Sequence, residues 1–287
     1  MEYFLDIAKL FLIYSMLTIS LNYLLGNVGI MYVGHIAFFA IGAYSVAVFT
    51  SVYLISPFLS ILLGIIIASI LSFSLGIVTA RMSGHYLLIA SLGICEIVRS
   101  LANNIKITGG AEGISISHKI IESLNISSST QVTVMIIILF LLEIIFFYLL
   151  DKSPKGRIFK AVRDDKVLAT IYGFSINKIK TEALVISGIW ASIAGSLFAY
   201  YSQYIDPSSF TIMDSLILLV VIIIGGIGSL KGSLLGAALL IILPSLVRLI
   251  EIPIAVIAPL QQILMGIILI VLLIIKPKGI FGKVLLK

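Results

Sequence analysis

Charge is what this chain has least of. Only 11% of its 287 residues are Asp, Glu, Lys or Arg, against about 25% in an ordinary soluble domain. A surface facing water cannot be covered with so few, so lipid is the expected solvent for most of the chain. Cysteine is almost absent. The one Cys95 lies inside an apolar run, where it cannot close an internal disulfide and is expected to pack rather than react. No His, Cys, Asp and Glu fall at metal-ligand spacing and no Ser–His–Asp set is suggested, so neither an enzyme nor a cofactor is expected. "GGIGSLKGS" (Gly225 to Ser233) superficially resembles a phosphate loop, but Leu230 precedes Lys231 and Gly232 follows it, where that motif needs Gly-Lys-Ser/Thr. The chain therefore has no ATP-hydrolysing motif of its own. A basic leader is missing too: Glu2, Asp6 and Lys9 open the first apolar stretch, so no signal peptide is expected. The net charge of +6 is confined to loops between apolar runs. That argues against nucleic acid as a partner, which wants a basic face on a soluble fold.

Apolar length is present in abundance: residues 7–25, 36–54, 57–80, 85–102, 131–150, 183–202, 212–228, 233–250 and 257–275 are candidate spans. In a bilayer each must satisfy its own backbone hydrogen bonds, so helices are expected. The fold class that follows is all-α, one polytopic transmembrane bundle of about eight to nine spans over residues 1–287, some broken or re-entrant. "GNVGIMYVGH" (Gly26 to His35) is the expected broken segment. Eight of the 19 Lys and Arg lie between Asp151 and Glu182, and Lys276, Lys278, Lys283 and Lys287 add four more. The positive-inside rule makes both the 151–182 loop and the C-terminus cytoplasmic in a cell membrane. An even number of spans separates them. Glu112, Glu122, Asp206 and Glu251 fall on the other side with the long 103–130 loop, and the N-terminus is placed outside.

Within the basic loop, "RIFKAVR" suits a short interfacial helix with Ile158, Phe159 and Val162 turned toward lipid or protein. A second short helix is expected next, with Asp164 as N-cap, Asp165 in its first turn, Leu168, Ile171 and Tyr172 on one face and Gly173 as its stop. Two readings compete: a helix resting on anionic headgroups, or one held by a cytosolic partner. Two turns are marginal alone, which favours the partner.

Glycine interrupts two spans in comparable ways, at Gly26, Gly29 and Gly34 and at Gly225, Gly226, Gly228, Gly232 and Gly236. Paired breaks in two halves suggest a translocation path through Gly26, Gly29, Gly34, His35, Gly225, Gly226 and Gly228. Close helix packing is the alternative, and the expected one at Gly236. Intramembrane polar groups are few. Glu96 and Arg99 stand at i, i+3 and can pair, or Arg99 can snorkel, and Glu143 lies deep in the 131–150 run.

"LNYLLGNVGIMYVGHIAFFAIGAY" (Leu21 to Tyr44), "GHYLLIASLGICEIVRSLANN" (Gly84 to Asn104), "TGGAEGI" (Thr108 to Ile114), "GRIFKAVRDDKVLATIYGFSINKIK" (Gly156 to Lys180), "ASIAGSLFAYYSQYIDPSSF" (Ala191 to Phe210) and "IIGGIGSLKGSLLGA" (Ile223 to Ala237) occur in this order and cover nearly the whole chain. Together they resemble the LivM-type permease of branched-chain amino-acid ABC importers. The resemblance implies a permease half that pairs with a second, LivH-like permease, two cytosolic ABC ATPases and an external solute-binding protein, with an amino acid as substrate. It also implies a coupling helix docked in the ATPase, mapping to Asp164, Asp165, Leu168, Ala169, Ile171 and Gly173. The Ala-x-x-x-Gly order of that loop is kept at Ala169 and Gly173, while its usual leading Glu-Ala is replaced by Lys166 and Val167. Three rivals stand beside it: a permease of the same family moving another solute such as urea, an ion-coupled secondary transporter for which Glu143 would be the natural centre, and a membrane scaffold without transport.

Overall fold

A computed structural model describes residues 2–79, 82, 84–116, 129–248, 254–276 and 279–282. Helix α1 (Glu2–Tyr23) runs into one π-turn (Leu24–Val28), where Gly29 leaves the helical path at φ 72° and returns its N–H to the Leu24 carbonyl. Six residues later α2 (His35–Ser51) begins, followed by α3 (Pro57–Thr79) and α4 (His85–Asn104). After residues outside the described set come α5 (Ser129–Lys152), two short helices α6 (Pro154–Asp164) and α7 (Lys166–Ile171), and the long α8 (Ile176–Ser202). Helices α9 (Ile212–Gly225), α10 (Leu230–Arg248) and α11 (Ile254–Ile275) complete the bundle. Among the described residues six helices are long and apolar enough to cross a membrane, and His35–Ser51 and Leu230–Ile242 are shorter apolar helices. The fold is an all-α polytopic bundle.

Small residues decide how the helices meet. The buried stripe of α3 reads Ser60, Gly64, Ala68, Ser72, Gly76, one small residue every four. Its other faces carry Phe58, Leu62, Ile66, Ile70, Phe73 and Ile77, all exposed. Leu and Ile gain nothing by leaving lipid tails for one another, so the backbones approach where side chains are smallest. Helix α8 is the hub, packed against α1, α2 and α3. A Cβ on Gly42 of α2 would overlap the Ser192 carbonyl, and one on Gly195 of α8 the Phe39 carbonyl, so these two helices touch backbone to backbone.

The bundle has two distinct ends. One holds the π-turn, α6, α7, the α9–α10 loop and residues 279–282, whose Ile280 and Phe281 amides donate to the Ile224 and Gly225 carbonyls at 3.0 and 2.9 Å. The opposite end holds a two-stranded antiparallel ribbon, β1 (Ile114–Ser115) with β2 (Tyr204–Ile205), in the register Ile114 to Ile205. This ribbon and two 3₁₀ turns, Lys106–Thr108 and Gly110–Glu112, give form to the first part of the long loop expected at 103–130. Helix α1 runs from this end toward the basic one.

Three sequence expectations need correction. Asp165, not Asp164, caps α7: its Oδ1 accepts from the Val167 and Leu168 amides at 2.8 and 3.0 Å, while Asp164 closes α6 and pairs with Arg163. The reason is that Asp165 alone has the extended backbone (φ −150°, ψ 107°) an N-cap needs. The stretch 151–182 is mostly helix rather than loop, because Asn177, Lys178, Lys180 and Glu182 extend α8 beyond its apolar run. Charge limits depth in a membrane but does not end a helix. The third concerns the glycine-rich stretch: α9 stops at Gly225 and α10 starts at Leu230, so the break covers residues 226–229, as long as the 229–232 gap between the two apolar runs but three residues ahead of it.

Candidate functional site

The site is built at the basic end. Ser153 caps α6 by accepting from the Gly156 amide at 3.1 Å, and Pro154 sits in its first turn, where no N–H is needed. Phe159 and Val162 are buried, and Phe159 meets Tyr23 of α1 edge-on at 6.2 Å between centroids. The basic residues beside them are engaged rather than merely solvated. Lys160 pairs with Asp151 at 2.6 Å, the same carboxylate that accepts from Asn27 of the π-turn at 3.0 Å. Arg163 Nη1 donates to the Gly26 carbonyl at 2.6 Å. That carbonyl belongs to the π-turn, where widened winding frees acceptors from the helical ladder.

Helix α7 then projects outward. Gly173 ends it at φ 84°, with the Gly173 and Phe174 amides returned to the Thr170 and Ala169 carbonyls at 2.9 and 3.1 Å. Ala169 faces inward and is buried. Leu168, Ile171 and Tyr172 face out, 51%, 75% and 74% exposed, with Val167 beside them. A six-residue helix that shows its apolar side to solvent is incomplete without something to cover it.

The glycine breaks of the two halves meet at this end. A Cβ on Gly26 would overlap the backbone of Gly228. Asn22, one turn earlier on α1, makes three hydrogen bonds to the α9–α10 loop and a fourth to Ser233 in the first turn of α10. Its Nδ2 donates to the Gly226 and Ser229 carbonyls, each at 3.2 Å, and to Ser233 Oγ at 2.7 Å. Its Oδ1 accepts from the Gly228 amide at 2.8 Å. Gly225 lies against Gly232 and Gly236, and Gly226, at φ 117°, against Gly282. A cleft of about 710 Å³ opens beside this junction, bounded by Asn22, Asn27, Asp151, Arg163, Lys231 and Phe281 among others.

The remaining predicted residues lie elsewhere. Gly34 presses on the Ser91 carbonyl, and buried His35 holds the start of α2 to α1 through a 2.8 Å contact with Ser20 Oγ. Gly29 rests on the Arg163 side chain. Glu96 and Arg99 pair on the partly exposed side of α4, Nε to Oε2 at 3.0 Å. Glu143 is fully buried on α5 and neither of its oxygens has a hydrogen-bond partner among the described residues. So Gly26, Gly225, Gly226 and Gly228 come together, Gly34 and His35 form a separate contact, and the three charged residues join neither. Sequence reading missed Asn22 and the acceptor of Arg163. Asn22 could have been found: it is an amide in an apolar span, four residues before a glycine break.

The family described as "Branched-chain amino acid transport system / permease component" matches residues 3–273. The chain belongs to this family. Its members are transport permeases, not enzymes, and this permease is a multi-pass membrane protein. It is similar to the high-affinity branched-chain amino acid transport system permease protein LivM of Escherichia coli, 32% identical over 83% of this chain and 62% of that protein. The permease thus spans less than two thirds of the length of that relative. It is also similar to LivH of Salmonella typhimurium, 24% identical over 79% of each chain, and to the fructose import permease protein FrcC of Rhizobium meliloti, 25% identical over 66% of this chain and 55% of that one. No solved structure matches it.

Proposed function

We propose that the chain is the membrane-spanning permease subunit of an ABC importer for branched-chain amino acids. In this reading a LivH-like permease pairs with it, two cytosolic ATPases drive it and an external binding protein supplies the substrate. The basic end, with the 151–182 segment and the C-terminus, faces the cytoplasm. The observation that carries the reading is the uncovered apolar side of α7, braced by α6 and joined through Arg163 to the π-turn of α1. A partner gripping Leu168, Ile171 and Tyr172 would move α7 and with it the adjoining α6, whose Arg163 is hydrogen-bonded into the broken segment of the bundle. ATP-driven closure of the ATPases would thereby reach the spans and rock them between two states. Family membership and the likeness to LivM support the amino-acid class. The likeness to FrcC keeps another small solute, such as urea or a sugar, as the second reading.

The test is co-expression with candidate ATPases, pull-down, and reconstitution with labelled leucine. Leu168→Asp with Ile171→Asp should release the ATPases while leaving the detergent-solubilised chain folded. Retention of the ATPases by that variant, or no retention by the wild type, would overturn the reading.

A further inference from the structure

Helix α4 is the least apolar of the six candidate spans, and only 22% of its most apolar stretch is buried. Its buried side is Leu87, Ser91, Cys95 and Ala102. The opposite side is mixed: Gly93, Ser100, Asn103 and Asn104 are exposed there beside the apolar Tyr86, Ile89, Ile97 and Leu101, with Glu96 and Arg99 along its border. A Cβ on Gly93 would meet nothing. At 1.5 Å per residue Glu96 stands roughly 17 Å from the basic-end start of the helix and about 12 Å from Asn104. A charged pair at such depth, with a hydroxyl one turn further on, is poorly suited to hydrocarbon. Lipid-facing α3 shows what the alternative looks like: its exposed side chains are Phe, Leu, Ile and Val with the single hydroxyl of Ser74, and none is charged. This side of α4 therefore borders water or protein.

The pair itself has spare capacity. Arg99 gives Nε to Glu96 Oε2 at 3.0 Å and Nη2 to the other oxygen, leaving three of five N–H uncommitted among the described residues. Each Glu96 oxygen keeps a lone pair. Neighbouring α9 starts at this level, since Cys95 Sγ lies 3.6 Å from Ser215 Oγ. Its N-terminal amides are no rival anion site, because Thr211 and Asp214 occupy them in a capping box. Opposite charges one helical turn apart match the carboxylate and ammonium of an α-amino acid, whose aliphatic part can lie on Ile89 and Ile97 of the same helix.

We infer that the exposed side of α4 lines the permeation route and that Glu96 and Arg99 form a transit site for zwitterionic amino acids, Arg99 receiving the carboxylate and Glu96 the ammonium. The inference rests on the importer reading above and adds to it the residues that touch substrate. It is tested in the complete reconstituted importer on a Cys95→Ala background. Ser100→Cys should react with a charged, membrane-impermeant thiol reagent and be protected by leucine, while lipid-facing Ile70→Cys stays unreactive. Glu96→Gln and Arg99→Gln should each lower leucine uptake by about ten-fold or more, the scale of one lost charge-assisted hydrogen bond, with ATPase assembly intact. The exchange Glu96→Arg with Arg99→Glu should restore part of it. Ser100→Cys that never reacts but cross-links to the second permease would make this side a packing seam and overturn the site. So would wild-type leucine uptake in both Gln variants. An assembled importer that moves another solute and no amino acid would overturn the site together with the substrate reading, whereas the first two outcomes leave that reading standing.

Discussion

Asn22 ties the basic end together across a long stretch of sequence. It closes four hydrogen bonds to residues more than 200 positions later in the chain. Asn22→Ala would take their partner from the Gly228 amide and the Gly226 carbonyl, while the Ser229 carbonyl keeps the Ser233 amide at 3.0 Å. At about 1–3 kcal/mol for each orphaned group, partly relieved by relaxation, a loss of roughly 2–4 kcal/mol is expected, read as a fall in melting temperature in detergent. A variant melting with the wild type would mean that the loop holds itself. Glycines give a sharper contrast. Gly26→Ala places a methyl group on the Gly228 backbone and must push the two breaks apart, whereas Gly266 in α11 has open space around it. Gly266→Ala should stabilise, by up to about 1 kcal/mol of helix propensity. Gly26→Ala should destabilise and lower uptake. Equal effects from the two would remove the claim that the Gly26–Gly228 approach is structural.

At the scale of elements, the proposed function makes its sharpest predictions about α7. It has six residues, one side-chain cap and one glycine stop. Asp165→Ala removes the cap, worth about 1 kcal/mol, from a helix that has little of its own to lose. Gly173→Pro cannot adopt φ 84° and deletes the amide that returns to Thr170. Both should raise the ATP hydrolysed per leucine transported without changing the melting of the bundle, and an unchanged ratio would count against α7 as the transmitting element. Most of these elements are legible in the sequence, since long Leu- and Ile-rich runs have one solution in lipid. The misreadings have local causes. Two adjacent aspartates both satisfy the composition of a cap, and only backbone geometry separates them. The small-residue stripe of α3 was legible too, as Ser-x₃-Gly-x₃-Ala-x₃-Ser-x₃-Gly, but it competes with a hydropathy signal that is nearly uniform along the run. The partners of Asn22 and Arg163 were not legible, because hydrogen bonds across 206 and 137 positions depend on how the helices assemble.

For the whole molecule, the decisive property is that its two ends differ in chemistry. The basic end gathers α6, α7, the glycine junction and the C-terminal return. The other end gathers the ribbon, Glu112 and Asp206. An importer uses that polarity: one end must meet ATPases and the other a binding protein. Thr170→Cys should be labelled only from the cytosolic side of intact cells or oriented vesicles, and Tyr204→Cys only from outside, both in a Cys95→Ala background. The reverse pattern would abolish the importer arrangement. The energy source separates the remaining rival. An ion-coupled transporter centred on Glu143 would lose uptake with Glu143→Gln and with collapse of the ion gradients. A permease driven from α7 has a different dependence. Glu143 lies on α5, has no hydrogen-bond partner among the described residues and is not among the groups bonded to Arg163 or Asn22. Gln is close to it in shape and avoids a buried acid. ATP-dependent uptake in vesicles should therefore survive both Glu143→Gln and an ionophore, and stop when nucleotide is withdrawn. Uptake that follows the ion gradient and ignores ATP would transfer the motor from the cytosolic surface of the molecule to its interior.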